Sequence, residues 1–390
     1  TAAEGVSQAA NAGRSQPEHA MTNSGAPIHI KPEQAISEAA ALGEKIARGA
    51  ELFSKLRDNE VAIATTPKDE VWRQDKVTLH HYRPLADTKI ATPMLIVYGL
   101  IGRYTMADLQ EDRSLVRNLL NLGIDLYVVD WGNPSRADRW LTLDDYIDGY
   151  LAECVRVISE RHRIDKVSLL GICEGGVFTT CYAALHPDTV KAMVLTITPI
   201  DFHGDTVENR LGHGFINIWT RSLKPEDIDR LIEAYGNLPG EFMGSVFSQM
   251  TPMRTLMKYN LDMLEVMDDE KKFLNFLRME KWIADRPHHP GEAAKQWLKD
   301  LYQDNKLINN AFTVNGRQVD LGNITMPVLN VFAKDDHIIP PATSQALGAK
   351  VGTKDYKELP LPGGHVGVFV GGKSQAFLGS GIAKWLSERQ

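Results

Sequence analysis

The sequence predicts an α/β fold, a mostly parallel central sheet carrying an inserted, largely helical cap. Three observations predict it. Short apolar runs alternate with stretches of helical spacing, which is the pattern of βα units. One of those runs, Val167-Ser168-Leu169-Leu170, passes through Gly171-Ile172-Cys173-Glu174-Gly175 directly into a helical stretch, the strand–turn–helix context of a nucleophile elbow. A long segment of different character, 204–322, separates the early strands from the last two.

In chain order, residues 1–30 are rich in Ala, Ser, Gly and Gln and lack a basic n-region followed by an apolar run. They read as a disordered tail rather than a secretory signal, with Met21 a candidate native start. The 31–68 segment opens with an amphipathic helix over Lys31 to Leu56. The first part of the core is 69–203. It begins with alternating residues Val71 to Tyr82, a pair of early strands. Next come a strand at Met94, a helix near Arg113 to Leu122, the strand Leu126 to Asp130, a helix from Thr142, the elbow strand, and Ala192 to Ile197. The second part is 323–390, with the buried strand Pro327 to Phe332 and a short strand before Gly363-Gly364-His365. Between them, 204–322 holds seven of the twelve methionines (Met243, Met250, Met253, Met257, Met263, Met267 and Met279) among scattered aromatics. Such an insertion suits a lid over a site, and its methionines serve its own core or a surface that can repack. The His288-His289 pair before Pro290 reads as a solvated turn.

Composition narrows the function. With 390 residues, 43% hydrophobic, the chain can bury a sizeable core. A net charge of −7 gives no reason to expect nucleic acid or an anionic membrane surface as partner. No uncharged apolar run is long enough to span a bilayer. Three cysteines, Cys154, Cys173 and Cys181, lack the spacing of a disulfide framework or a zinc site, so no metal is expected.

The chemistry starts at Cys173. The elbow glycines allow a tight turn and close strand–helix packing, which forces the central side chain outward. Sulfur rather than oxygen there favours thioester chemistry. Thiolate attack on a thioester yields another thioester at little net cost, and the acyl group stays activated for transfer to an alcohol. An acid and then a histidine should follow in chain order. Asp336 lies in the loop after the strand ending at Phe332, and His365 in the later glycine-rich loop. Alone, Asp336 is a turn carboxylate and His365 a loop imidazole; behind an elbow cysteine they form a triad. His337 is the competing base and ranks second, because it sits beside the acid in the chain, where it can hardly reach across to Cys173. An oxyanion hole needs the N–H of Glu174 plus one from the loop after the Met94 strand, from Leu100 or Ile101.

These stretches, together with Pro67 to Val71, Glu111 to Ser114, Val129 to Gly132, Leu141 to Tyr146, Tyr182 to Asp188 and Arg278 to Ile283, resemble the catalytic subunit of polyhydroxyalkanoate synthases. The resemblance runs from about Lys31 to the C-terminus and is strongest to the class III branch, whose catalytic subunit works with a second, PhaE-type subunit. It implies an α/β-hydrolase fold and an acyltransferase that polymerises (R)-3-hydroxyacyl groups, above all 3-hydroxybutyryl, from coenzyme A thioesters. Coenzyme A is then a product and no cofactor is needed. Carried over by motif, Cys173 is the acylated nucleophile, His365 the general base, and Asp336 either supports His365 or activates the incoming hydroxyl. The resemblance also implies a cytoplasmic enzyme at the surface of a polyester granule, bound to its growing chain and assembled as a homo-oligomer. Two residues depart from the pattern: Glu174 stands where Gln or Met is expected, and Gly102 replaces a polar residue. Glu174 places a negative charge near the thiol, which disfavours the thiolate unless the side chain is turned away or paired. The alternatives are a Cys-His-Asp hydrolase of the dienelactone hydrolase or thioesterase kind, and a catalytically silent binding module.

Overall fold

A computed structural model describes residues 32–204, 215–250 and 256–389. The tail predicted over 1–30 and Met253 lie outside the described residues. Eight strands form the main sheet: β1 (Lys68–Gln74), β2 (Val77–Tyr82), β3 (Ile90–Val97), β4 (Ile124–Asp130), β5 (Val167–Ile172), β6 (Val190–Thr196), β7 (Val328–Ala333) and β8 (Tyr356–Leu361). Their spatial order is β1-β2-β4-β3-β5-β6-β7-β8. The pairings β1 with β2 and β2 with β4 are antiparallel; those from β4 through β8 are parallel. Strands β5 and β7 are buried at every position, which is why both read as continuous apolar runs with no polar face.

Alternate residues of the central strands feed two separate cores. Leu95, Val97, Val129, Leu169 and Leu195 join the cluster on one face, while Met94, Ile96, Val128, Leu170 and Val194 join the other. Four helices precede the insertion: α1 (Pro32–Lys55), α2 (Leu115–Asn121), α3 (Ala152–His162) and α4 (Glu174–Leu185). Every residue of α4 from Glu174 to Ala184 is buried, so it is apolar all round and its sequence carries almost no amphipathic signal.

Between β6 and β7 the chain leaves the sheet and builds helices α5 (Phe215–Ser222), α6 (Pro225–Tyr235), α7 (Gly240–Met250) and α8 (Glu270–Ala284). Met243 and Met267 are buried there, whereas Met257 is exposed; the methionines serve both as core and as surface. Helix α1 packs on this insertion. A side chain at Gly49 would collide with Met267, Phe53 meets Phe273 with ring centroids 6.5 Å apart, and Lys45 pairs with Asp268 at 3.4 Å.

Candidate active site

Strand β5 ends at Ile172 and α4 begins at Glu174, so Cys173 alone makes the turn. Its backbone sits at φ 53°, ψ −122°, a conformation that side-chain-bearing residues hold only where the surroundings impose it. Cys173 N–H donates to Thr196 O at 2.9 Å. Behind it there is no room for further side chains: a Cβ on Gly175 would lie 2.2 Å from Val97 O, and one on Gly176 1.8 Å from Thr198 Oγ1. The turn therefore lifts the Cys173 thiol to the surface of a cavity. Cys154 and Cys181, by contrast, are fully buried free thiols, and burial pushes both pKa values far up.

His365 and Asp336 come from the loops that follow β8 and β7. His365 Nδ1 lies 2.8 Å from Asp336 Oδ2, and His365 lines the same cavity as Cys173. Asp336 is completely buried, and its second oxygen, Oδ1, accepts the N–H groups of Ile338 and Ile339, each at 2.9 Å. Both carboxylate oxygens are thus committed. Asp335 is exposed and accepts the Gly363 N–H at 3.2 Å, which braces the histidine's loop. Burial works against a charge on His365, but the adjacent Asp336 and Cys173 outweigh it and push its pKa up to about 10. The structure thus brings Cys173 and the hydrogen-bonded His365–Asp336 pair to one site, with His365 holding Asp336 Oδ2.

The oxyanion side differs from the sequence expectation. Glu174 is buried, and its Oε2 accepts the N–H of Leu100 at 2.6 Å and of Ile101 at 2.8 Å. Both N–H groups offered as second donor are therefore directed onto a carboxylate. The Glu174 N–H stands at the first position of α4, where an N–H has no partner within the helix. The other carboxylate oxygen, Oε1, lies 2.7 Å from His289 Nε2. His289 is 2% exposed, so the solvated turn predicted for His288-His289 is incorrect for His289. Leu238 and His289 exchange backbone hydrogen bonds, which pins this strand-like stretch inside the insertion. The carboxylate that threatened the thiol is held by hydrogen bonds instead, one of them with a residue 115 positions away in sequence. Sequence reasoning missed it because nothing local in Pro287-His288-His289-Pro290 signals burial; the flanking prolines were the one hint of a fixed backbone.

Cys173 and His365 open on a cavity of about 210 Å³ lined mainly by apolar groups, among them Ile101, Phe247, Met279, Trp282, Trp297 and Ile339. Phe247, Met279, Trp282 and Trp297 come from the insertion, which thus covers the thiol. Trp282 Nε1 donates to Arg103 O at 3.2 Å, and Arg103 pairs with Asp285 at 2.7 Å, tying insertion to loop. Gly102 holds φ 90°, and a Cβ there would lie 3.6 Å from the Trp282 ring. Among the described residues, no cluster of His, Cys, Asp and Glu could hold a metal, and no helix is long and apolar enough to cross a membrane.

Comparison with known proteins follows the same lines. Residues 92–372 match the alpha/beta hydrolase fold, and 42–119 match the poly-beta-hydroxybutyrate polymerase (PhaC) N-terminus. The chain is 45% identical to the poly(3-hydroxyalkanoate) polymerase subunit PhaC of Synechocystis sp., over 92% of this chain and 94% of that one. It is 43% identical to the subunit of the same name from Allochromatium vinosum, over 93% and 99% of the two chains. A solved structure from Sulfolobus solfataricus superposes with a TM-score of 0.54 at 16% identity, covering 82% of this chain and 93% of that one, which is a likeness of fold alone. An eight-stranded, mostly parallel sheet, an elbow cysteine facing a histidine–aspartate pair, and this identity along nearly the whole length lead to one assignment: the chain belongs to the α/β-hydrolase-fold family of poly(3-hydroxyalkanoate) polymerase PhaC subunits.

Proposed function

We propose that this chain polymerises (R)-3-hydroxyacyl groups, principally 3-hydroxybutyryl, from coenzyme A thioesters through an acyl group carried on Cys173. The observation that carries the reading is that Cys173 and the Asp336-bound His365 open onto one apolar cavity. His365 takes the thiol proton, the thiolate adds to the thioester carbonyl, and coenzyme A leaves as the thiolate, which recovers that proton. A second 3-hydroxyl, relieved of its proton by His365, then attacks the Cys173 thioester and extends the polyester by one ester bond. Developing negative charge on the carbonyl oxygen meets the Glu174 N–H at the start of α4. Leu100 and Ile101 join it only if their loop turns away from the Glu174 carboxylate. Full burial of Asp336 and the commitment of both its oxygens support service to His365 over direct activation of the hydroxyl.

The reaction needs no cofactor; coenzyme A is its product. A second, PhaE-type subunit completes the enzyme, in keeping with the relatives' designation as subunits. The insertion over Cys173 and the exposed apolar residues Ile36 and Phe53 on α1 are where it docks. The working enzyme is a cytoplasmic homo-oligomer on the polyester granule. The test is mass spectrometry after exposure to a slowly transferred acyl-coenzyme A. An adduct on the Cys173 peptide, absent in Cys173→Ala, supports the reading; an adduct on Cys154 or Cys181 refutes it.

A further inference from the structure

Arg286 is the charged side chain that this chemistry leaves unused. It follows α8 and lines the Cys173 cavity from the insertion side. It also lines an outer groove of about 450 Å³ with Glu241, Gly244, Ser245 and Ser248, so it stands where the two spaces adjoin. The side chain is held in place. Nε donates to Ile283 O at 2.9 Å and the guanidinium lies 5.2 Å from the Phe247 ring centroid. Two glycines of α7 admit this residue: a Cβ on Gly240 would sit 2.3 Å from its backbone oxygen, and one on Gly244 3.3 Å from its side-chain Nε.

Among the described residues no ion pair offsets its charge, the Glu241 carboxylate of the outer groove included. Burial pushes its pKa down, and Tyr98 is the one titratable group that acts in the other direction. A half-buried guanidinium without a carboxylate is costly unless a ligand supplies the acceptor. Its terminal nitrogens form a planar fork suited to phosphate or carbonyl oxygens.

Size and polarity indicate which ligand. Pockets for drug-sized ligands run to about 300–1,000 Å³, and coenzyme A, with its pantetheine arm and nucleotide, is larger than a cavity of about 210 Å³ can hold. Two bodies must therefore extend out of that cavity, the coenzyme A arm and the polyester. The polyester is neutral and suits the apolar lining. The coenzyme A arm carries amide carbonyls and phosphates and suits the one cation there besides His365, among the described residues.

We infer that Arg286 marks the side on which the coenzyme A half of the acyl donor lies, and that its guanidinium hydrogen-bonds oxygen acceptors of that half. The inference rests on the acyl-coenzyme A reading above. The test compares wild type, Arg286→Met and Arg286→Lys on 3-hydroxybutyryl groups carried by coenzyme A, by pantetheine and by N-acetylcysteamine. The preference for the coenzyme A thioester over the N-acetylcysteamine thioester should fall about tenfold or more in Arg286→Met, and less in Arg286→Lys. The pantetheine arm separates the sources: a preference lost between coenzyme A and pantetheine implicates phosphates, and one lost between pantetheine and N-acetylcysteamine implicates the amide carbonyls. An equal loss on all three thioesters, or no loss, overturns the inference. Calorimetric titration with free coenzyme A gives a readout without turnover. Weaker binding to Arg286→Met in a protein that never forms polymer would refute the polymerase reading and leave Arg286 in place, whereas unchanged binding would overturn Arg286.

Discussion

Replacing Glu174 tests whether the elbow, the Leu100–Ile101 loop and the insertion are held together by one buried carboxylate. Glu174→Ala removes the acceptor of two backbone N–H groups and leaves His289, 2% exposed, without its partner. Breaking a buried pair from one side costs about 3–5 kcal/mol, a large share of the roughly 5–15 kcal/mol by which a domain is stable. The unsatisfied N–H groups belong to the same network, so their cost is not added separately. Glu174→Gln keeps an oxygen for both N–H groups, loses the charge, and turns an amide NH2 toward His289 Nε2, which accepts it in the tautomer that donates from Nδ1. Charged hydrogen bonds are stronger than neutral ones by about 1–1.5 kcal/mol, so its cost should stay near that figure. The two variants should therefore differ by about 2 kcal/mol or more, a factor of roughly 30 in the unfolding equilibrium. Equilibrium urea unfolding, followed by far-UV circular dichroism, measures this. Adding His289→Leu to Glu174→Met removes both partners and should recover most of the loss, because an apolar replacement of a buried pair is often neutral. Equal stability of Glu174→Ala and wild type, or additive losses in the double variant, would refute the reasoning.

Three further outcomes are expected. Asp336→Asn should lose acylation of Cys173 itself, with turnover down about 10³–10⁴-fold, while Asp335→Asn, whose exposed side chain accepts the Gly363 N–H, should change little; burst-phase coenzyme A release separates loss of acylation from loss of chain growth. Because His365 is raised to about 10 in the folded protein from an ordinary value near 6.5, its stabilisation is fully present below about pH 6.5 and is lost as pH rises through about 10. Wild type should therefore lose stability more steeply over that window than His365→Gln, and parallel curves would show that the charged imidazole is not favoured. Finally, coenzyme A release by the chain alone should show a lag that a PhaE-type partner removes, since an insertion closed over the thiol lowers activity by its closed fraction; lag-free turnover at every concentration would remove the partner requirement.

The sequence by itself determined the sheet, the elbow and the order of the candidate cysteine, aspartate and histidine. Each is written locally: β5 and β7 as apolar runs, the tight turn as glycines around Cys173, and the acid and histidine as loop residues after strands in a fixed order. Even the choice between Asp336 and Asp335 followed motif, although burial of one and exposure of the other is what separates them physically. Only the tertiary structure decided the fate of charges. Glu174 looks like a liability beside a thiol until the fold sets it against the Leu100 and Ile101 amides and brings His289 to it from the insertion. His289 looks like a surface residue until its backbone pairs with Leu238. Arg286 carries no motif and gains meaning from lying between a groove and the Cys173 cavity. The physical reason is common to all three. A buried charge is settled by partners distant along the chain, and a sequence records each partner's identity without recording that they meet.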